Sequence, residues 1–424
     1  MQLKNKKVLV LGGGFEQLPL IRILKKENFF VILIDKNINA VSKTYADKFY
    51  NFSVTDFTKI IKISKKNKIF AAISICSDLA VQPLSKISKQ LKIPGISLNS
   101  AIICTNKIFM KNHFKKNKIP TAKYHLFKDF KSTKKILSKM NFPIVIKPID
   151  SYGQKGVFLI KNYKQLKMKI NLSKKKSKKK KILIEEFIDG IEINVVAIVK
   201  NYNVKILSMS KRSTYKDKSF GIAYEHKYPL EMERKIISQI KNLSIRTIKS
   251  IKIKNGVFYP QIIYNKNKGP HVVEIAARVP GGFMRELSML ASGIDPIKFQ
   301  IKCATGFKKN FVSKKRDKPK KSVIIKFLTK KNFNFLNPKI YKRIEKVSKL
   351  EGIFKVHINK LKKLPKLNSS SGRFWAIIAF GKDITVTNKY CNKAFNELKK
   401  KWSFLIKKNL YLLKLKKYQV QVWK

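Results

Sequence analysis

Short, wholly apolar runs alternate with longer amphipathic segments through the first hundred residues. Residues 7–11 (KVLVL) read as a buried strand, Gly12-Gly13-Gly14 as a tight turn and 17–26 as a helix. A second strand, 30–34, ends at Asp35. The alternation continues with a strand at 71–76, a helix that Ser77-Asp78 opens and that runs to Leu91, and a short strand near 94–96. Strand and helix in turn make a parallel sheet, so residues 1–105 are expected to form one α/β domain of Rossmann-like type.

Beyond it the pattern changes. Thr105-Asn106-Lys107 leads a basic helix that Ile119-Pro120 breaks. FPIVIKPIDSYGQKG (142–156) reads as a buried strand with Lys147 at its end, followed by a polar loop with two glycines. ILIEEFIDGIE (182–192) is a strand, an Asp189-Gly190 turn and the start of a second strand to Val199. Residues 204–209 form another strand, and Lys211, Arg212 and His226 fall on a flexible polar loop. A helix at 231–251 precedes paired strands at 256–264 and 271–277. Residues 308–321 read as a linker. The remainder, with strands at 322–328 and 373–380 and a helix at 388–401, is expected to be a small α+β domain spanning 320–424.

Composition narrows the function classes. The chain carries 95 Lys and Arg against 24 Asp and Glu, a formal charge of +71. Only nine of those cations are arginine, and the lysines spread through every segment, SKKKSKKKK (173–181) being an extreme read as an exposed loop. Sequence-reading nucleic-acid sites favour arginine forks and clustered aromatics, so a diffuse lysine coat argues against a specific nucleic-acid partner. No apolar run approaches the roughly 18 residues of a membrane span, and the first apolar run is too short for a secretory signal. The basic C-terminal tail reads as a solvated end rather than a membrane contact. Four scattered cysteines without a CxxC pair point to free thiols and a cytoplasmic location.

Against that background the acids stand out. Four of the 24 (Glu185, Glu186, Asp189 and Glu192) lie within 182–192, where Glu185 and Glu192 could hold two ends of one polar ligand. Glu274 lies mid-strand in the apolar run HVVEIAARVPGG, where an unpaired carboxylate is costly and a metal ion would relieve the cost. Magnesium asks for one or two protein oxygens plus substrate phosphates, and Gln261 offers a second oxygen if the two strands pair. Arg278, one of few arginines, suggests a need for a planar fork. The glycine loop at 150–156 can cover phosphates with its N–H groups beside Lys147. Asp35, 23 residues after Gly12, gives the N-terminus a dinucleotide-like look, but Gln17 replaces the third glycine of that fingerprint.

Taken in order, LGGGFEQLPLI, SDLAV, TNKIFMK, FPIVIKPIDSYGQKGV, ILIEEFIDGIEINV and VVEIAARVPGGF resemble the ATP-grasp carboxylate–amine ligases. That superfamily includes biotin carboxylase, the D-alanine–D-alanine ligases and carbamoyl-phosphate synthetase, and the EIAAR form is most similar to its amino-acid ligases. The resemblance covers about residues 1–310. It implies a two-subdomain ATP-grasp fold over 106–310 and an enzyme that activates a carboxylate as an acyl phosphate and joins it to an amine. ATP with Mg2+, or Mn2+, would be the cofactors and a small acid and amine the partners; a homodimer is compatible with it. Lys107 and Lys147 would contact the ATP phosphates under the loop of Gly153, Gln154 and Gly156. Glu185 would meet the adenine amino group, the Phe187 and Ile188 backbone the ring edge, and Glu192 the ribose. Glu274 and Gln261 would hold the metal and Arg278 would steady the reacting carboxylate, with His226 and Lys211 near the substrate. Two departures, Gln261 where many members have an acid and Ala276 where they have asparagine, imply weaker metal binding. The alternatives are a bicarbonate-using carboxylase of the same superfamily and an NAD-binding oxidoreductase.

Overall fold

The computed structural model describes residues 5–137, 142–307, 321–333, 340–359 and 363–400. Much of the linker expected at 308–321 and the tail from residue 401 lie outside them.

Three sheets organise the chain. Strands β1 (Lys7–Leu11), β2 (Phe30–Asp35), β3 (Lys48–Asn51) and β4 (Ala71–Ile73) form a parallel sheet in the order β3-β2-β1-β4. β1 and β2 are apolar on both faces because helices cover both, as parallel sheets require. No strand forms at 94–96; those residues make the turn between helices Val81–Gln90 and Leu98–Thr105. Asp35 does not behave as a ribose-binding acid either. Its oxygens accept the N–H groups of Gly13 and Asn37, both at 2.7 Å, so it closes the glycine turn from beneath.

A small antiparallel sheet follows, from β5 (Tyr124–Leu126), β6 (Ile144–Pro148), β7 (Phe158–Ile160) and β8 (Ile182–Glu186), ordered β5-β8-β6-β7. The SKKKSKKKK tract behind it is not a bare loop. Its serines are buried and hold the glycine loop in place: Ser173 Oγ donates to the Gly156 carbonyl at 2.7 Å and Ser177 Oγ to Asp150 at 2.6 Å. Only its lysines face solvent, which is why composition hid the anchor.

The remaining strands build one eight-stranded antiparallel sheet. They are β9 (Ile191–Lys200), β10 (Asn203–Thr214), β11 (Ala223–Tyr228), β12 (Gly256–Asn265), β13 (Gly269–Ala276), β14 (Ser322–Leu328), β15 (Ile353–His357) and β16 (Trp375–Gly381). Their order is β13-β12-β9-β10-β11-β14-β16-β15. The strands after residue 320 keep an apolar cluster of their own around Phe333, Phe374 and Trp375, yet β14 hydrogen-bonds directly to β11. The expected flexible loop is also strand: Arg212 and His226 are ladder partners on β10 and β11. Their polar residues concealed the strand period, because those side chains face a cleft rather than an apolar core. Turn chemistry at Gly190 is steric, since a Cβ there would lie 2.2 Å from the Tyr264 carbonyl oxygen. Among the described residues no helix is long and apolar enough to cross a membrane.

Trp375 is the anchor of the C-terminal cluster, edge-on to Phe333 and Phe374 with its indole N–H donating to the Asn359 carbonyl at 2.9 Å. Trp375→Ala is expected to lower stability by about 3–5 kcal/mol. Equilibrium denaturation in urea reads it; a loss below about 1 kcal/mol would mean the cluster contributes little.

Candidate active site

The three sheets meet around one cleft of about 610 Å³. The helix Lys107–Lys116 enters it because Asn106 caps its first turn, accepting the N–H groups of Ile108 and Phe109. Lys107 and Lys111, four residues apart, therefore share one face. The Lys107 ammonium donates to the Ser151 carbonyl at 2.7 Å, and Tyr152 reaches back to the Thr105 carbonyl at 3.1 Å, so the glycine loop is tied to this helix. Burial lowers the pKa of Lys107 and Glu274 works against the shift.

At the centre lies Glu185 on β8, buried between two lysines. Lys147 from the end of β6 stands 2.6 Å from one oxygen and Lys111 stands 3.2 Å from the other. The Lys111 contact is an ion pair out of line for a hydrogen bond, and the Lys111 ammonium donates instead to Thr121 Oγ1 at 2.5 Å. Burial alone would raise the Glu185 pKa; the two lysines overcome it and hold the carboxyl below its usual range. The side chain expected at the adenine amino group is thus engaged in fixing two cations.

Glu192, on β9, has both oxygens in use as well: Arg212 pairs with one and Thr214 Oγ1 donates to the other at 2.6 Å. Phe187 and Ile188, between β8 and β9, line the cleft, the Phe187 N–H donating to Pro143 at 3.4 Å. Gly153 and Gln154 also line it, both at left-handed φ, whereas Gly156 sits behind the loop against Ser173. His226 reaches the cleft, but exposed Lys211 does not. Burial holds the His226 pKa well below the ordinary imidazole value, helped by Arg212 and Arg373.

Across the cleft, β12 and β13 place Gln261 directly opposite Glu274, as the metal reading requires. In a chain so rich in lysine, Glu274 has no ion-pair partner among the described residues. Those residues also hold no group of three or more His, Cys, Asp or Glu that could cage a metal. One carboxylate and one amide oxygen suit Mg2+ carried in on phosphates, which keeps most of its own water and phosphate ligands. Arg278 is a bidentate partner of Asp78, Nε and Nη2 each donating at 2.7 Å. Burial opposes its charge, and Asp78 outweighs it and raises the pKa. That partner lies 200 residues earlier in the chain.

Sequence reading missed Lys111, Asp78, Glu16 and Arg373, all of which line the cleft. The four-residue step from Lys107 was a usable signal for Lys111. Asp78 and Glu16 fall within the stretches SDLAV and LGGGFEQLPLI, though nothing in their spacing pointed to the cleft, and Arg373 carries no local signal.

With this geometry in view, the comparisons with known proteins fall into place. The phosphoribosylglycinamide synthetase ATP-grasp (A) domain matches residues 105–281. A phosphoribosylamine–glycine ligase from Caldanaerobacter subterraneus subsp. tengcongensis is 26% identical over 64% of this chain and 69% of that protein. A D-alanine–D-alanine ligase from Pelagibacter ubique is 29% identical over 60% of this chain and 86% of that one. The crystal structure of an L-amino acid ligase from Bacillus licheniformis shares the fold, with a TM-score of 0.75 over 93% of this chain and 98% of that one, at 16% identity. Residues 105–281 thus carry an ATP-grasp domain, and the chain is an ATP-dependent ligase that forms carbon–nitrogen bonds.

Burial lowers the Lys111 ammonium from its ordinary 10.5 to about 8, with Glu185 opposing the shift. Below pH about 8 it is charged in the folded protein; above, it turns neutral while the unfolded chain still holds the proton. ATP affinity is therefore expected to weaken along a one-proton limb at or above pH 8, while this group's contribution to stability improves over the same window. Calorimetric titration of ATP from about pH 6.5 to 9.5 checks it. Lys111→Arg, which stays charged, should flatten the limb; an unchanged limb would assign it to another group.

Proposed function

We propose that this ATP-grasp ligase uses MgATP to phosphorylate a small carboxylic acid and then transfers the acyl group to an amine. The acid's oxygen attacks the γ-phosphorus and ADP leaves; the amine nitrogen then attacks the carbonyl carbon, and phosphate departs with the proton the amine gives up. The observation that carries the reading is the convergence of three lysines with an unpaired carboxylate in one cleft. Lys107, Lys111 and Lys147 stand on one wall, and Glu274 with its ladder partner Gln261 on another.

In this reading Lys107 and Lys147 hold the phosphates, with Lys111 added to them, and the N–H groups around Gly153 and Gln154 cover the transferring group. The strand junction at Phe187 and Ile188 receives the adenine edge. Glu185 acts through the lysines it fixes. Glu192 accepts the ribose once it shares its Arg212 and Thr214 partners. Glu274 and Gln261 are the protein's oxygens for Mg2+, which when bound neutralises charge on the phosphates. Arg278, locked by Asp78, is a positioning residue that holds the end of β13 against the N-terminal domain and presents its remaining edge to the acyl group. Four free thiols fit a cytoplasmic setting.

Two variants test this assignment. Glu274→Gln should reduce ADP formation by at least about 10²-fold with little change in melting temperature, because the removed charge makes no ion pair among the described residues. A protein that melts much earlier yet keeps its turnover would make Glu274 structural. Arg278→Lys keeps the charge and loses the two-pronged match to Asp78, so turnover should fall about 10²–10³-fold while ATP affinity changes little. Steady-state kinetics with saturating substrates decide it; wild-type turnover would reduce Arg278 to a tie between domains.

A further inference from the structure

We propose that the segment after residue 320 completes the cleft with the subsite for the amine-bearing substrate, and that this subsite takes an amino acid with a planar side chain. The inference rests on the ligase reading above and names the substrate class of the same site.

Two opposite charges without ion-pair partners face each other across the Gly281-Gly282 turn. Arg373, just before β16, lies with its guanidinium carbon 4.2 Å above the Phe327 ring and its Nε donating to the Ser370 carbonyl at 3.1 Å. It makes no ion pair among the described residues, although Glu16 is near enough to favour its charge. A Cβ on Gly282 would sit 3.6 Å from both terminal nitrogens, so their free edge is directed at the turn. From the opposite side comes Glu16, from the first glycine turn. It accepts the Gly282 N–H at 2.5 Å, and a Cβ on Gly281 would lie 2.6 Å from its carboxylate. With 95 cations against 24 acids, an acid in the cleft without an ion-pair partner is the exception. A guanidinium fork fits a carboxylate and a lone carboxylate fits an ammonium, so together they frame an amino-acid backbone.

Next to this frame stands an aromatic wall. His357, at the end of β15, stacks on Phe15 at 4.5 Å with planes 22° apart, and Phe283 tilts against the same imidazole at 5.0 Å. All three line the cleft, and Phe15 remains 39% exposed, an unusual position for a large apolar ring. The buried Nε2 of His357 has no hydrogen-bond partner. Burial, reinforced by Lys355, lowers the imidazole to about 4, so it is neutral at physiological pH and presents a face and one ring nitrogen rather than a charge. An open aromatic face beside an unsatisfied ring nitrogen matches a planar substrate side chain, stacked on Phe15 and reaching His357 at its edge.

Binding of single amino acids to the full-length protein in the presence of MgADP, read by calorimetry, tests the proposal. Phenylalanine, tyrosine, tryptophan and histidine should together include a ligand at least about tenfold tighter than glycine or alanine. Phe15→Ala should weaken that ligand about 10- to 100-fold and leave glycine unchanged. Arg373→Gln should weaken every amino acid but not the matching amine without a carboxylate, and Arg373→Lys should restore part of the loss. MgADP affinity should be the same in all variants. Intact nucleotide binding with no preference for rings, or with Phe15→Ala indistinguishable from wild type, overturns the substrate class alone. Absence of any nucleotide binding removes the ligase reading and this inference with it.

Discussion

The arrangement of the cleft depends on one buried carboxylate. Glu185 is almost fully enclosed, and a charge in that position is tolerated only when paired. It meets Lys147 from β6 and Lys111 from the helix Lys107–Lys116, so three elements are held by one group. Removing one member of such a set leaves an uncompensated charge, at a cost of about 3–5 kcal/mol. The set contributes less to net stability than to position. It keeps two ammonium groups, which would otherwise extend into water on flexible stems, at the floor of the cleft before any ligand arrives.

The same logic sorts the other acids. Asp78 locks Arg278, Glu192 locks Arg212, and Asp35 closes the first glycine turn through main-chain N–H groups. Each of these carboxylates has a structural duty. Glu16 likewise meets a main-chain N–H, that of Gly282, and neither it nor Glu274 makes an ion pair among the described residues; both line the cleft. Within the cleft Asp78, Glu185, Glu186 and Glu192 are each ion-paired, so the two acids there without a cation stand apart, as does Arg373, which makes no ion pair among the described residues.

The cleft is also a product of the whole chain. The glycine loop is pinned from behind by Ser173 and Ser177, from the side by Lys107, and from above by the Ser370 N–H, which donates to the Gly153 carbonyl at 2.9 Å. That last contact ties the glycine loop to the segment leading into β16. Because β14 to β16 extend the central sheet, the cleft wall they carry belongs to the same hydrogen-bonded sheet as the strands bearing Gln261 and Glu274.

Local features were legible in the sequence. The β1-turn-helix-β2 start, the ILIEEFIDGIE junction, the Asn106 cap and the β12–β13 pair each follow from hydrophobic period and turn residues within a few positions of one another. That the two strands pair was likewise readable, but a bulge after Gln261 shifts the register that the turn sets, so only the structure places Gln261 opposite Glu274. Charge pairing was not. Arg278 meets an acid 200 residues away and Gly282 meets one 266 residues away, and no periodicity encodes such distances. The end of β10 and all of β11 were misread as loop because their inner faces point into a polar cleft, where the alternation that betrays a half-buried strand is absent. Which lysines are buried, which acids are left without a cation, and that His357 and Arg373 join the N-terminal glycine turn were decided only by the tertiary fold. Side-chain chemistry is written locally, but the dielectric and the partner that give it a function come from elsewhere in the chain.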